Sequence, residues 1–146
     1  MNRYNDLELS ILSCIVQKPE LMEQVILDDK HFVKHKKIWL FLKSFYNKFH
    51  NFDLTLMYSI CKDKYRIVEY IIWLMEKEPR LFLFNDYQKQ LMKLYDELEK
   101  EKYIIEKIYL LANDLYVRSI TSDEFKIKLD DIYRNADEIF KENKNE

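Results

Sequence analysis

At 146 residues, 48% hydrophobic and 34% charged, the chain has enough apolar material for one packed domain and is not a disordered polymer. Its formal net charge of −2 creates no global field toward nucleic acid or an acidic membrane. With no glycine and only two prolines, it lacks the material for a Walker A cradle, a Rossmann turn or the tight hairpins of an all-β fold.

The expectation is therefore an all-α protein. A small globular helical bundle occupies residues 1–80, a long antiparallel helical hairpin follows over 81–141, and a tail of Asn, Lys and Glu over 142–146 should fray. Cys14 and Cys61 fall among apolar residues without a CxxC spacing and read as buried, reduced thiols of a cytoplasmic protein. No stretch reads as a signal peptide, and no apolar run is long enough to cross a bilayer, so no membrane partner is expected.

The opening helix is predicted over Asp6–Lys18, with Asn5 as its N-cap and Glu8 completing a capping box. Leu7, Ile11, Leu12, Ile15 and Val16 make its buried face. Pro19 opens a second short helix, Pro19–Leu27, because proline is tolerated at the first helical position. There Leu21, Val25 and Ile26 point inward, and Asp28–His31 is a polar link. A third helix over Lys34–Lys48 places Ile38, Trp39, Leu42, Phe45, Tyr46 and Phe49 on one side. Lys36, Lys37, Lys43, Ser44 and Asn47 gather opposite, and Leu40 and Phe41 fall on or beside that polar side. An apolar pair amid lysines reads as a protein-contact surface. Asp53 caps a fourth helix through Cys61, and a fifth over Tyr65–Lys77 is apolar enough to serve as the central core helix.

Pro79 ends that unit, and Asn85 caps a long helix reaching Val117, roughly 50 Å at 1.5 Å per residue. Along it Tyr87, Leu91, Leu94, Leu98, Ile105, Ile108, Ala112 and Leu115 recur at steps of four and three, interrupted only at Glu101. After Arg118–Thr121 a returning helix over Ser122–Lys141 opens on a Thr121/Glu124 capping box and repeats the step with Phe125, Leu129, Ile132, Ala136 and Ile139. Two helices alone cannot bury two such seams, so the hairpin must dock on the rest of the chain or on a second copy. The expected interface is thus Leu91, Leu94, Leu98, Ile105, Ile108, Phe125, Leu129, Ile132 and Ile139, with Leu40 and Phe41 as a further contact. A homo-oligomer, dimer or higher, follows. Glu101 reads as a wet point in the seam, or alternatively as an acid that pairs with a lysine across a dimer and fixes register.

Several of these landmarks resemble a known family. Leu7-Glu8 followed by Ser10-Ile11-Leu12 is similar to the opening helix of the N-terminal domain of DnaB-type replicative DNA helicases. Asp28-Asp29, His35, Ile38-Trp39 and Phe52-Asp53-Leu54 resemble that domain's next landmarks without a gap in spacing, and the hairpin ending in Ala136-Asp137-Glu138-Ile139-Phe140 resembles its C-terminal hairpin. There are departures: Lys30 stands where an aromatic usually follows the acidic pair, and the glycines common after the first and fourth helices are absent. The 146 residues hold no counterpart of the helicase ATPase part, so motor activity does not carry over. A sister resemblance, from Asp63–Glu78 and the long charged helix after it, is to the C-terminal helicase-binding domain of bacterial primases. The resemblance implies a non-catalytic replication scaffold that pairs through its hairpins, joins the collar of a hexameric ring, and binds primase, helicase or a helicase loader. An excised domain and a free-standing protein both fit; a free-standing copy would be a helicase loader or inhibitor of the kind a phage encodes.

Sharper chemistry has little support. His31 and His35 stand four apart, but no cysteine or carboxylate joins them at ligand spacing, so no metal or other cofactor is expected. No acid–base pair or nucleophile triad is placed by the pattern, so no catalytic residue is assigned. The alternative from another class is an all-α nucleic-acid-binding protein using the Lys30–Lys48 face through Lys36, Lys37 and Lys43. Its aromatics fall mainly on the buried side, the wrong side for stacking on bases, so direct DNA contact is the lesser expectation.

Overall fold

The computed structural model describes residues 3–62 and 65–141, and over these it is all α. The helices are α1 (Arg3–Gln17), α2 (Lys36–Phe49), α3 (Leu54–Ile60), α4 (Tyr65–Met75), α5 (Phe84–Tyr116) and α6 (Ser122–Lys141), with short 3-10 turns at Pro19–Gln24, Asp29–His31 and Leu81–Leu83. None of the described helices is long and apolar enough to cross a membrane. The expected fraying of 142–146 lies outside the described residues.

The chain forms two compact units, Met1–Met92 and Lys93–Glu146. The division falls inside α5 rather than at the expected 80/81 boundary. The cause is visible in the first turns of α5, where Phe84, Gln88 and Leu91 are buried and belong to the globular unit.

In the first unit the central helix is α1, not α4. Ile11, Leu12, Ser13, Cys14, Ile15 and Val16 are buried in succession, so α1 is covered all round over this stretch. It packs against α4 and the turn Pro19–Gln24, while α3 also packs on α4 and α2 on both 3-10 turns before it. α4, expected at the centre, buries only Val68, Ile71 and Leu74 and leaves Tyr65 and Trp73 outside. α2 follows its predicted wheel: Trp39 stacks on Phe32 at 4.4 Å between centroids, and Phe45 meets Phe49 at 4.7 Å and Phe52 at 6.3 Å.

Several helix starts differ from expectation: α2 begins at Lys36 rather than Lys34, and α5 begins at Phe84, so Asn85 lies inside it and is not its cap. α1 already includes Arg3 and Asn5, so Asn5 is not its cap. The Pro19 segment forms a 3-10 turn instead of an α-helix, and this leaves Ile26 exposed where it was expected inside. Other signals behave as predicted. The Asp53 carboxylate accepts the Leu56 N–H at 2.9 Å, and the Thr121 hydroxyl accepts the Glu124 N–H at 3.2 Å. Without glycine, the left-handed residues that end helices fall on His50 (φ 56°) and Arg118 (φ 60°).

In the second unit the remainder of α5 and α6 form the antiparallel hairpin. Lys100 pairs with Asp137 at 2.5 Å, and Tyr103 meets Phe140 edge-on at 6.1 Å. The inner faces are Ile104, Ile108, Leu111 and Leu115 on α5 and Phe125, Leu129, Ile132, Ala136 and Phe140 on α6, all buried or half-buried. Leu111 and Ala136 are the best covered of them.

Candidate interaction surfaces

The predicted seam of α5 divides into two stripes. At about 100° per residue, the inner positions 104, 108, 111 and 115 form one strip, and Leu98, Ile105, Tyr109 and Tyr116 form another roughly a quarter-turn round the helix. The second strip faces water: Leu98 is 45% exposed, Ile105 66%, Tyr109 75% and Tyr116 86%. Glu101 and Ala112 are exposed as well. Of the residues proposed as interface, Leu98, Ile105 and Ile139 are exposed; Leu94, Ile108, Phe125, Leu129 and Ile132 are half-buried within the unit. Leu91 is a correction: it is fully buried in the first unit and offers nothing to a partner. Tyr109 and Tyr116 were missed, although their spacing from Leu98 and Ile105 by sevens and fours carries the same helical signal as the chosen seam.

On α2 the lysine face is less uniform than its sequence. The ammonium of Lys43 sits 3.1 Å from Asp29 Oδ1, which also accepts the Trp39 indole N–H at 2.7 Å. The Trp39 hydrogen bond first and Lys43 second hold the Asp29 carboxyl below its ordinary value. Lys43 thus shares its charge with Asp29 in a half-exposed ion pair, whereas Lys36 and Lys37 are exposed. Leu40 is exposed and Phe41 is half-buried, its ring 6.0 Å from Phe45. Val33, His35, Lys36, Lys37, Leu40 and Tyr70 line a shallow recess of about 580 Å³.

His31 and His35 serve packing. His31 is buried, and its Nδ1 accepts the Asp28 N–H at 2.9 Å. His35 sits at the start of α2 with Nδ1 3.6 Å from Glu8 Oε1. Glu8 has no exposed surface and accepts the backbone N–H groups of Lys34 at 3.1 Å and His35 at 3.0 Å. The carboxylate expected to close a cap on its own helix instead caps the approach to α2. Among the described residues no three His, Cys, Asp or Glu gather as a metal site requires. Cys14 and Cys61 are both buried free thiols, and burial pushes the Cys14 thiol up to about 11.

A second recess, of about 700 Å³, opens between α1 and α4 and was not anticipated. α1 contributes Asp6, Leu9, Ser10 and Ser13, successive members of one helical face, and Trp73, Glu76, Lys77, Glu78 and Pro79 line the other side. The Gln17 side-chain amide donates to the Lys77 carbonyl at its end. Trp73 is 41% exposed, and the Lys77 ammonium lies 3.9 Å from its indole centroid. The Ser13 hydroxyl is buried and has no hydrogen-bond partner. The groove exists only because α4 packs beside this face of α1.

Comparison with family models, with curated proteins and with solved structures finds no match to this chain.

Proposed function

We propose that the chain is a non-catalytic module of the DNA-replication machinery, built on the plan of a replicative-helicase N-terminal domain. In this reading it self-associates through its hairpin and docks primase, helicase or a helicase loader in the cytoplasm. The observation that carries it is the uncovered strip Leu98–Ile105–Tyr109–Tyr116 in the second unit. That strip runs about 27 Å along α5 at 1.5 Å per residue, and a two-helix unit has no third element with which to cover it. An exposed apolar strip of this length, crossed by Glu101 and Lys102, is a surface for a partner to cover. Support for the replication assignment is the resemblance itself. Four of its landmark residues also pair off near the start of α2, Glu8 with His35 and Asp29 with Trp39. A free-standing loader or inhibitor of the helicase uses the same surfaces and falls under the same reading.

Analytical ultracentrifugation of the full chain tests it. The wild type should sediment as a dimer or larger species, and Ile105→Asp and Tyr109→Asp should each yield a monomer with unchanged helical circular dichroism. Mixed with its host's replicative helicase and primase, the wild type should co-sediment with at least one of them. A wild-type monomer at all concentrations that sediments with neither protein sinks the proposal. A salt titration separates the nucleic-acid alternative, which the exposed pair Lys36 and Lys37 favours: affinity for DNA falls steeply with salt, whereas an apolar docking surface holds.

A further inference from the structure

We propose that the recess between α1 and α4 receives a cationic segment of a partner protein, an arginine-bearing peptide whose guanidinium lies on the indole of Trp73. The inference rests on the first unit alone and does not require self-association. Its lining carries three carboxylates, Asp6, Glu76 and Glu78, against one base, Lys77, so a cation is the complementary charge. Lys77 already occupies the indole face at 3.9 Å, which marks that ring as a place where a cation rests. Arginine suits the site better than lysine, because its planar fork stacks on an aromatic ring and still presents donors at its edge to carboxylates. The second observation is Ser13. Its hydroxyl is buried, lines the recess and is unpartnered, whereas buried hydroxyls are almost always hydrogen-bonded. A peptide N–H or a guanidinium N–H entering the groove would supply the missing bond, while Leu9 and Pro79 wall the apolar stem of the side chain.

A plain solvated acidic face accounts for the carboxylates but for neither the half-exposed Trp73 nor the unpartnered Ser13. A second copy of this chain as occupant is a separate outcome, read by the concentration dependence described below.

The test uses the full chain and two capped octapeptides, one of alternating leucine and arginine, the other with citrulline in place of arginine. The chain has two tryptophans, and Trp39 is buried, so a change in indole emission reports on Trp73; anisotropy of a labelled peptide gives the same affinity independently. The arginine peptide should bind saturably and roughly tenfold more tightly than the citrulline peptide. The double variant Glu76→Gln/Glu78→Gln should weaken it by a similar factor. Lys77→Ala should tighten binding several-fold, because the resident cation no longer competes for the ring. Ser13→Ala should weaken binding several-fold while leaving helicity intact. Equal binding of the two peptides, no saturation up to millimolar peptide, or weaker binding by Lys77→Ala would each overturn the proposal. So would Trp73 emission that changes with protein concentration alone, which assigns the recess to a second copy.

Discussion

Glu8 ties the opening helix to the rest of its unit. Its carboxylate is sealed from water and saturates two backbone N–H groups that precede the first turn of α2. Removing it leaves those part-buried donors unpaired, which costs more than the hydrogen bonds themselves contribute. Glu8→Leu should therefore destabilise the chain by about 3 kcal/mol, with Glu8→Gln intermediate because one amide oxygen still accepts. Urea denaturation at neutral pH reads this, and a loss below about 1 kcal/mol would show that water replaces the carboxylate. Asp29 gives a pH signature of known sign. Its carboxyl titrates below its ordinary value because the charged form is held by Trp39 and Lys43. The ionised group therefore stabilises the fold above the unfolded carboxylate pKa, and that contribution is lost as pH falls through the lower folded value. Below about pH 4 the wild type should lose stability more steeply than Asp29→Asn, which has no charge to lose; parallel acid limbs for the two proteins would refute it.

At the scale of elements, the helix ends show how a chain without glycine closes its turns. After α5 the Ser119 N–H reaches the Asp114 carbonyl at 3.0 Å and the Arg118 N–H reaches the Leu115 carbonyl at 3.1 Å. This is a Schellman arrangement, with Arg118 in the left-handed position that glycine fills without strain. Arg118→Gly should accordingly raise the stability of the hairpin by about 1 kcal/mol, seen as a higher thermal midpoint of helical circular dichroism; an unchanged or lower midpoint would mean that the arginine side chain contributes more than its backbone costs. Helix N-caps were readable beforehand where a local hydrogen bond decides the outcome, as at Asp53 and Thr121. They misled where tertiary structure outbid the local option. Glu8 had the spacing of a capping box, but α2 supplies better donors. Pro19 is compatible with the first turn of an α-helix or of a 3-10 turn, and periodicity over six residues does not separate the two.

At the scale of the molecule, the all-α architecture and hairpin were legible because repeating apolar steps and the absence of glycine both point one way. The surfaces were legible only in part. A long helix with apolar residues on two adjoining stripes satisfies the same three-and-four rule on either, so the sequence could not say that 104–108–111–115 turns inward while Leu98, Ile105, Tyr109 and Tyr116 stay out. It also could not say that Leu91 belongs to the globular unit, since that depends on how far the bundle climbs α5. The outward stripe has a thermodynamic consequence beyond sedimentation. If a second copy covers it, folding and association are linked, and the melting temperature must rise with protein concentration, because mass action favours the associated folded state. A hundredfold increase in concentration should therefore raise the thermal midpoint of the wild type by several degrees, as expected when linkage supplies about 2.7 kcal/mol per dimer, half of that per chain, and 1 kcal/mol per chain moves a domain of this size by roughly 2–8 °C. Ile105→Asp should abolish that dependence while melting at or below the wild-type midpoint at the lowest concentration. A wild-type midpoint independent of concentration would mean that the strip is covered by a different protein or by none, and the self-association half of the functional reading would fall while the docking half stood on its own test.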